Sequence, residues 1–303
     1  MRSGVCSARA MSEAVRTPEQ ALEGLPDFPF RVCYRDVDGL RLAHRDEGEG
    51  APVIFLHGEP TWSFLWRKVI PPVRDAGFRC VAPDLVGFGA SDKPVDIGWY
   101  SYDRHTAMAG TLLEDLDLRD ATMVVHDWGG PIGLRLAVEN PERVARLVIL
   151  DTGLFTGHQR MTDAWIAFRD FVLRTEDLPV GFLVRGACKR DPGDEVIAAY
   201  DAPFPDVASK AGVRAFPLLI PQSPDAPGAA AGQRVQAALK ADRRPTLMLW
   251  ADSDPVLPLS VAERFAAAIG RPSPRPIEDA SHFLQEDQGP LIGSLIAQWL
   301  LAR

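Results

Sequence analysis

Short runs rich in Val, Ile and Leu alternate along the chain with longer stretches whose apolar residues recur at helical spacing. Residues 31–37 and 40–46 alternate apolar and polar side chains on either side of Asp38-Gly39, the pattern of two strands joined by a tight hairpin turn. Residues 53–56, 80–82, 123–125, 146–150 and 246–250 are short apolar runs, each followed by turn-forming residues. Between them, 64–76, 102–116 and 129–139 carry the spacing of amphipathic helices. Short strands alternating with helices predict an α/β protein built on a doubly wound, mostly parallel sheet. In such sheets the reacting groups gather beyond the carboxyl ends of the strands. The turns His57-Gly58-Glu59, Pro83-Asp84, Asp127-Trp128, Asp151-Thr152-Gly153 and Asp252-Ser253-Asp254 all fall there.

The alternation breaks between residues 154 and 240. An aromatic-rich helix is expected at 164–173, followed by Pro- and Gly-rich sequence in which 201–206 and 221–232 read as loops. An insertion between two sheet strands, set over the catalytic edge, reads as a cap that shapes a pocket and excludes water. The predicted organisation is a main domain of 17–153 and 241–303 with a helical cap of 154–240, preceded by a disordered extension of 1–16.

Composition narrows the function. With 46% hydrophobic and 24% charged residues in 303, the chain is an ordinary globular protein. A net charge of −8 argues against nucleic acid or an anionic membrane as the main partner. No apolar run approaches the roughly 18 residues of a membrane span. The four cysteines show neither C-x-x-C spacing nor a cluster with His and carboxylates, so unpaired thiols of a reducing, cytoplasmic compartment are expected. The same absence of ligand spacing predicts no metal and no cofactor, and a monomer is the simplest assembly.

The most informative stretch is Val125-His126-Asp127-Trp128-Gly129-Gly130, between an apolar run and a helical pattern. It reads as a nucleophile elbow, a sharp strand-to-helix turn that lifts one side chain above the sheet edge. The usual elbow presents Ser, whereas this one presents Asp127; an Asp merely capping the next helix is the alternative. A carboxylate is ionised at neutral pH and can displace a leaving group from saturated carbon without a base. Trp128 adds an indole N–H that donates and cannot accept, suited to an anion. His282 follows the last predicted strand, where such a fold places its base; with an Asp nucleophile it would deprotonate the water that hydrolyses the ester. A carboxylate must orient it, and Asp254, in the loop after 246–250, suits the order nucleophile, acid, His, with Asp151 and Asp252 as rivals. The backbone N–H groups of Glu59 and Trp128 would form the oxyanion hole. His57 reads as a loop-stabilising residue and Asp84 as a carboxylate tying down its own turn.

These residues sit in long collinear blocks: LPDFPF at 25–30, HGEPTWSFLWRKVIPP at 57–72, VAPDLVGFGASDKP at 81–94, DWGGPIGLRLAVENPERVARLV at 127–148, YDAPFPD at 200–206, AFPLLIPQSPD at 215–225 and ASHFLQED at 280–287. From Thr17 to the C-terminus the chain resembles the haloalkane dehalogenases of the α/β-hydrolase superfamily, and most of all their first subfamily. The resemblance implies an eight-stranded α/β-hydrolase sheet, Asp127 as nucleophile, His282 as base, Asp254 as acid, and Glu59 and Trp128 as oxyanion hole. It implies Trp128 as first halide donor, and a small halogenated hydrocarbon, water and a halide ion as the partners.

Two departures are visible. The first subfamily carries its second halide donor as a cap Trp in a pattern like Phe-x-x-Trp, whereas this chain reads Trp165-Ile166-Ala167-Phe168. Phe168 has no N–H to give, and Trp165, one turn earlier, shares its helix face and is the candidate replacement. Asp151 stands where related sequences tend to have Asn, at a strand end that holds the acid in another subfamily. Epoxide hydrolase is the nearest enzymatic alternative, but it needs cap tyrosines, and the cap has Tyr200 alone, expected in a loop. A fluoroacetate dehalogenase calls for Arg where Trp128 stands. A ligand-binding relative without turnover is the alternative from outside enzymology.

Overall fold

The computed structural model describes residues 13–302. Eight strands form one sheet: β1 (Val32–Val37), β2 (Leu40–Glu47), β3 (Pro52–Leu56), β4 (Arg79–Pro83), β5 (Ala121–His126), β6 (Val144–Leu150), β7 (Thr246–Ala251) and β8 (Arg275–Ile277). Their spatial order is β8-β7-β6-β5-β3-β4-β2-β1, with β2 antiparallel to both neighbours and the rest parallel. Central strands of a parallel sheet are covered on both faces and read as unbroken apolar runs. All six residues of β5 are accordingly buried.

The register explains why the strand-end turns converge. Leu56 is level with Val125, Val125 with Ile149, and His126 with Leu150. The chain therefore leaves β3, β5 and β6 at the same height, delivering His57–Glu59, Asp127 and Asp151 to one edge. The predicted hairpin and central strands appear within two residues of their expected ends.

Helices α1 (Ile70–Asp75), α2 (Tyr102–Asp115) and α3 (Gly129–Glu139) follow β3, β4 and β5. The single helix expected at 64–76 is instead a short 3₁₀ turn, Ser63–Trp66, and then α1. Pro71 and Pro72 cause the break, since neither has an N–H to donate and both are tolerated only in a first turn.

The segment between β6 and β7 is more helical than expected. It holds α4 (Asp163–Arg174), α5 (Val180–Gly186), α6 (Asp194–Asp201), α7 (Ala211–Ala215) and α8 (Ala229–Ala241). The loop expected at 221–232 ends early, because Ala229–Gly232 is already the first turn of α8. A run of alanines is a strong helix former. Tyr200 likewise lies on α6 rather than in a loop. Helix α8 packs against α3, so the last part of the insertion continues the helical layer of the sheet. α9 (Leu259–Ala268) and α10 (Leu284–Leu301) complete the chain.

Part of the expected N-terminal disorder is also corrected. Ala14–Val15 pairs with Lys93–Pro94, and Arg16 bonds Asp92 through Nε at 3.0 Å. Residues 1–12, Cys6 among them, lie outside the described residues. No helix among the described residues is long and apolar enough to cross a membrane.

A buried ion cluster ties the insertion to the main domain. Arg67, beside α1, grips Glu286 on α10 through both guanidinium ends, Nη2 lying 2.7 Å from Oε2. Tyr200 donates its hydroxyl to Oε1 of the same carboxylate at 2.5 Å. Both ion-pair side chains are almost fully enclosed. Burial alone would raise the Glu286 pKa, but Arg67 outweighs it and holds the carboxyl below its ordinary range. The stabilising contribution is thus complete above the ordinary Glu pKa and lost as pH falls through the lower folded value. Glu286→Gln strands the Arg67 charge and should cost about 3–5 kcal/mol in denaturant unfolding. Lys68→Ala, removing a half-buried partner of the same carboxylate, should cost about 0–1 kcal/mol.

Candidate active site

The turn between β5 and α3 forces Asp127 into the left-handed region, with φ of 46°. That conformation persists because small residues let neighbouring backbone close in. A Cβ on Gly129 would lie 2.2 Å from the Leu56 carbonyl oxygen, and one on Gly58 would lie 2.3 Å from Asp127 Oδ1. The Thr152 hydroxyl donates to the Asp127 carbonyl at 2.5 Å, and the Asp127 N–H donates to the Asp151 carbonyl at 3.1 Å. The corner is pinned from both sides.

The carboxylate meets donors that the chain places for it. Glu59 N–H donates to Oδ1 at 2.8 Å, and the adjacent Trp128 N–H also favours the negative charge of the carboxylate. His282 Nε2 stands 3.7 Å from Oδ2, and its Nδ1 lies 2.8 Å from Asp254 Oδ2. Asp254 is fixed in turn by the N–H groups of Val256 and Leu257, at 2.7 and 2.9 Å on Oδ1.

Charge stabilisation wins over burial at each of these groups. Burial would raise the Asp127 pKa, but the hydrogen bond and charge of His282 lower it on balance, so the group is ionised. Burial likewise opposes ionisation of Asp254, and His282 again reverses the sign. For His282, burial disfavours the imidazolium, yet Asp254 and Asp127 together hold its pKa well above the ordinary histidine value. The three groups form one charge-alternating line.

Of the competing carboxylates, Asp254 is the one in contact with His282. Asp252 instead accepts from the N–H groups of Asp279 and Ala280, at 3.1 and 3.3 Å. Asp151 lies behind the pair, its Oδ1 accepting from Ala251 N–H at 3.0 Å. His57 accepts the Leu85 N–H on Nε2 at 2.9 Å while its Nδ1 faces the Gly58 carbonyl, consistent with loop support. Asp84 ties its turn through the Ser63 and Ala90 N–H groups, both at 2.8 Å.

A cavity of about 300 Å³ opens above Asp127. Its wall is almost wholly apolar, with Phe155, Met161, Phe168, Phe182 and Leu183 supplied by the segment after β6. Trp128, Trp165 and Phe168 all line it, so both members of the exchanged Trp/Phe pair face the same space. Neither the Trp128 nor the Trp165 indole N–H has a protein acceptor among the described residues. No tyrosine lines the cavity, and the Tyr200 hydroxyl is taken by Glu286.

Two features escape a reading of the sequence. The His126 Nε2 lies 2.8 Å from the His282 carbonyl oxygen, linking the elbow strand to the loop that carries the imidazole. Burial lowers its pKa to about 4, so it is neutral. Its place one residue before the elbow Asp was the available signal. The Glu59 side chain is the other: it lines the cavity, its Oε1 has no partner, and burial and the Asp127 charge raise its pKa well above the carboxylate range.

Comparison with known proteins agrees with this geometry. The family model for the alpha/beta hydrolase fold matches residues 51–288. A haloalkane dehalogenase of Mycolicibacterium paratuberculosis is 43% identical over 295 residues, covering 94% of this chain and 97% of its own. One from Psychrobacter cryohalolentis is 38% identical, with the same 94% and 97% coverage. Among solved structures, the chain is similar to a haloalkane dehalogenase from Paraglaciecola agarilytica that is described as tetrameric. The TM-score there is 0.88 at 35% identity, over 96% of this chain and 98% of that one. A haloalkane dehalogenase from Bradyrhizobium elkani aligns with a TM-score of 0.78 at 28% identity, over 90% and 98% of the two chains.

Removing Asp254 takes away the largest charge that favours the imidazolium. In Asp254→Ala the His282 pKa should fall by at least about one unit, read by NMR titration of the imidazole.

Proposed function

The chain belongs to the haloalkane dehalogenase family of α/β hydrolases, and from that premise we propose how its own residues divide the work of hydrolysing a carbon–halogen bond. The observation that carries the assignment is an ionised carboxylate, Asp127, bonded by the Glu59 amide and facing His282 at the floor of an apolar cavity. A hydroxyl nucleophile would need a base before attack, and this group does not.

Asp127 attacks the halogen-bearing carbon from behind, with inversion; the carbon–oxygen bond forms as the carbon–halogen bond breaks, and halide leaves with its electron pair. Trp128 and Trp165, which both line the cavity, then offer indole N–H groups to the halide. Esterification removes the negative charge of Asp127, and with it one of the two influences that keep a proton on His282. The imidazole is freed to take a proton from water. The separation of 3.7 Å between Nε2 and Asp127 Oδ2 suits a base that acts through one water. Hydroxide adds to the ester carbonyl carbon, and the resulting oxyanion is met by the Glu59 amide, which already bonds this carboxyl, and by the adjacent Trp128 amide. The intermediate collapses by cleaving its bond to the alkoxide, which takes a proton from His282. The balance is one haloalkane and one water giving alcohol, halide and a proton.

Asp254 is the orienting acid in this scheme, and the helices lying between residues 154 and 228 are the cap. The apolar wall and small volume favour short, unbranched haloalkanes. The absence of a cavity-lining tyrosine among the described residues weighs against epoxide opening. Cys33, Cys80 and Cys188 form no disulfide among the described residues, in keeping with a reducing, cytoplasmic location. The expected monomer gains no support, since the relative from P. agarilytica is tetrameric.

Halide release from 1,2-dibromoethane should vanish in Asp127→Ala, including the first turnover. A hydrogen bond that strengthens as charge develops is worth ~1.5–3 kcal/mol. Trp165→Phe should therefore slow carbon–halogen cleavage roughly 10- to 100-fold. Retained rates in Trp165→Phe would show that its indole gives no hydrogen bond to the halide.

A further inference from the structure

The carboxyl of Asp151 has no counterpart in the scheme above. It ends β6 fully buried, with one hydrogen bond from Ala251 N–H at 3.0 Å on Oδ1. No described donor reaches Oδ2. A carboxylate offers four acceptor sites, so an ionised group with a single protein donor in a fully buried place is poorly satisfied. Its oxygen, an Asp254 oxygen and a His282 nitrogen all lie within 4.8 Å of one another. Asp254 already spends Oδ1 on two backbone amides and Oδ2 on His282. Two carboxyls thus sit side by side where a second negative charge has nothing to offset it.

We propose that Asp151 is a positioning residue, a neutral carboxylic acid whose O–H donates to the Asp254 carboxylate so that the pair carries one shared negative charge behind His282. The proposal rests on the reading of His282 as base and Asp254 as its acid. Burial first, and then the charge of Asp254, push the Asp151 carboxyl well above the ordinary range, while Asp254 is held below it. The ionisable groups around the pair are few. His282 faces it from the loop after β8, and Asp127 and His126 lie at the end of β5, with His126 neutral. Among the described residues, His282 is the cation that faces the two carboxyls.

The arrangement has a functional consequence. Once Asp127 is esterified, the anion behind the imidazole alone decides whether His282 can give up its proton. One negative charge orients the ring and still lets it act as a base near neutral pH. Two would keep it protonated and block ester hydrolysis. The donated O–H also fixes Asp254 from the side its backbone amides leave open.

Wild type, Asp151→Asn and Asp151→Ala distinguish the possibilities. Asn keeps both the acceptor for Ala251 and a donor for Asp254, without a titratable proton. In the infrared difference spectrum at neutral pH, a protonated-carboxyl band present in wild type should be missing from Asp151→Asn. The acid limb of kcat, set by His282, should stay within about half a unit in Asp151→Asn, since the charge is unchanged. Asp151→Ala, with its donor gone, should lose roughly tenfold or more in kcat with little change in KM. Absence of the infrared band, with an acid limb lowered by a unit or more in Asp151→Asn, would mean that Asp151 is a carboxylate and overturn the proposal. An Ala variant with unaltered kcat and acid limb would overturn it as well. The infrared band reads the proton directly, so it decides the matter even where halide release fails and the base assignment with it.

Discussion

A naked carboxylate in an apolar cavity is unstable as an anion, and this structure is arranged around keeping Asp127 charged there. Burial pulls toward the neutral acid, which could not act as a nucleophile. Two backbone amides and one imidazolium pull the other way, and they win. Each comes from a different strand end: Glu59 after β3, Trp128 after β5, His282 after β8. The level register of the central strands is what brings them within reach of one side chain. The left-handed corner at Asp127 and the glycines around it follow from the same demand for close approach.

In the proposed reaction the chemistry then runs on the removal of that charge. Asp127 and Asp254 both hold a proton on His282, and forming the ester cancels the contribution of Asp127. A base that was protonated before attack becomes available after it, without any movement of the fold. The apolar wall strengthens these interactions, because charges act more strongly where water is excluded. The cluster of Arg67, Glu286 and Tyr200 keeps that wall seated by fixing α6 to the main domain.

What could be read from the chain follows a physical division. The strands and the elbow are local signals: apolar runs, turn residues and one Asp in the nucleophile's place determine them at short range. The meeting of Asp127, His282 and the Glu59 and Trp128 backbone at one sheet edge was legible for that reason. The order of residues along the chain and the resemblance favour Asp254 over Asp151 and Asp252, and the 2.8 Å contact with His282 is what sets it apart in space, since all three end strands or strand loops. Helices α5 to α8 were hidden by Pro and Gly, and Tyr200 was misplaced with them. Trp165 and Phe168 are three residues apart on α4, so their sharing of the cavity follows helix geometry. The raised pKa of Glu59 and the isolation of Asp151 arise from burial and neighbouring charge, which no spacing encodes.

The claim that everything else depends on is that the oxygen of the product alcohol comes from Asp127. A single turnover with enzyme in excess over 1,2-dibromoethane, run in water enriched in heavy oxygen, tests it directly. The account predicts alcohol without the label and a peptide carrying Asp127 with one labelled oxygen, since hydroxide attacks the carboxyl carbon. Labelled alcohol in that first turnover, with Asp127 unlabelled, would mean that water attacks the haloalkane itself and would contradict it.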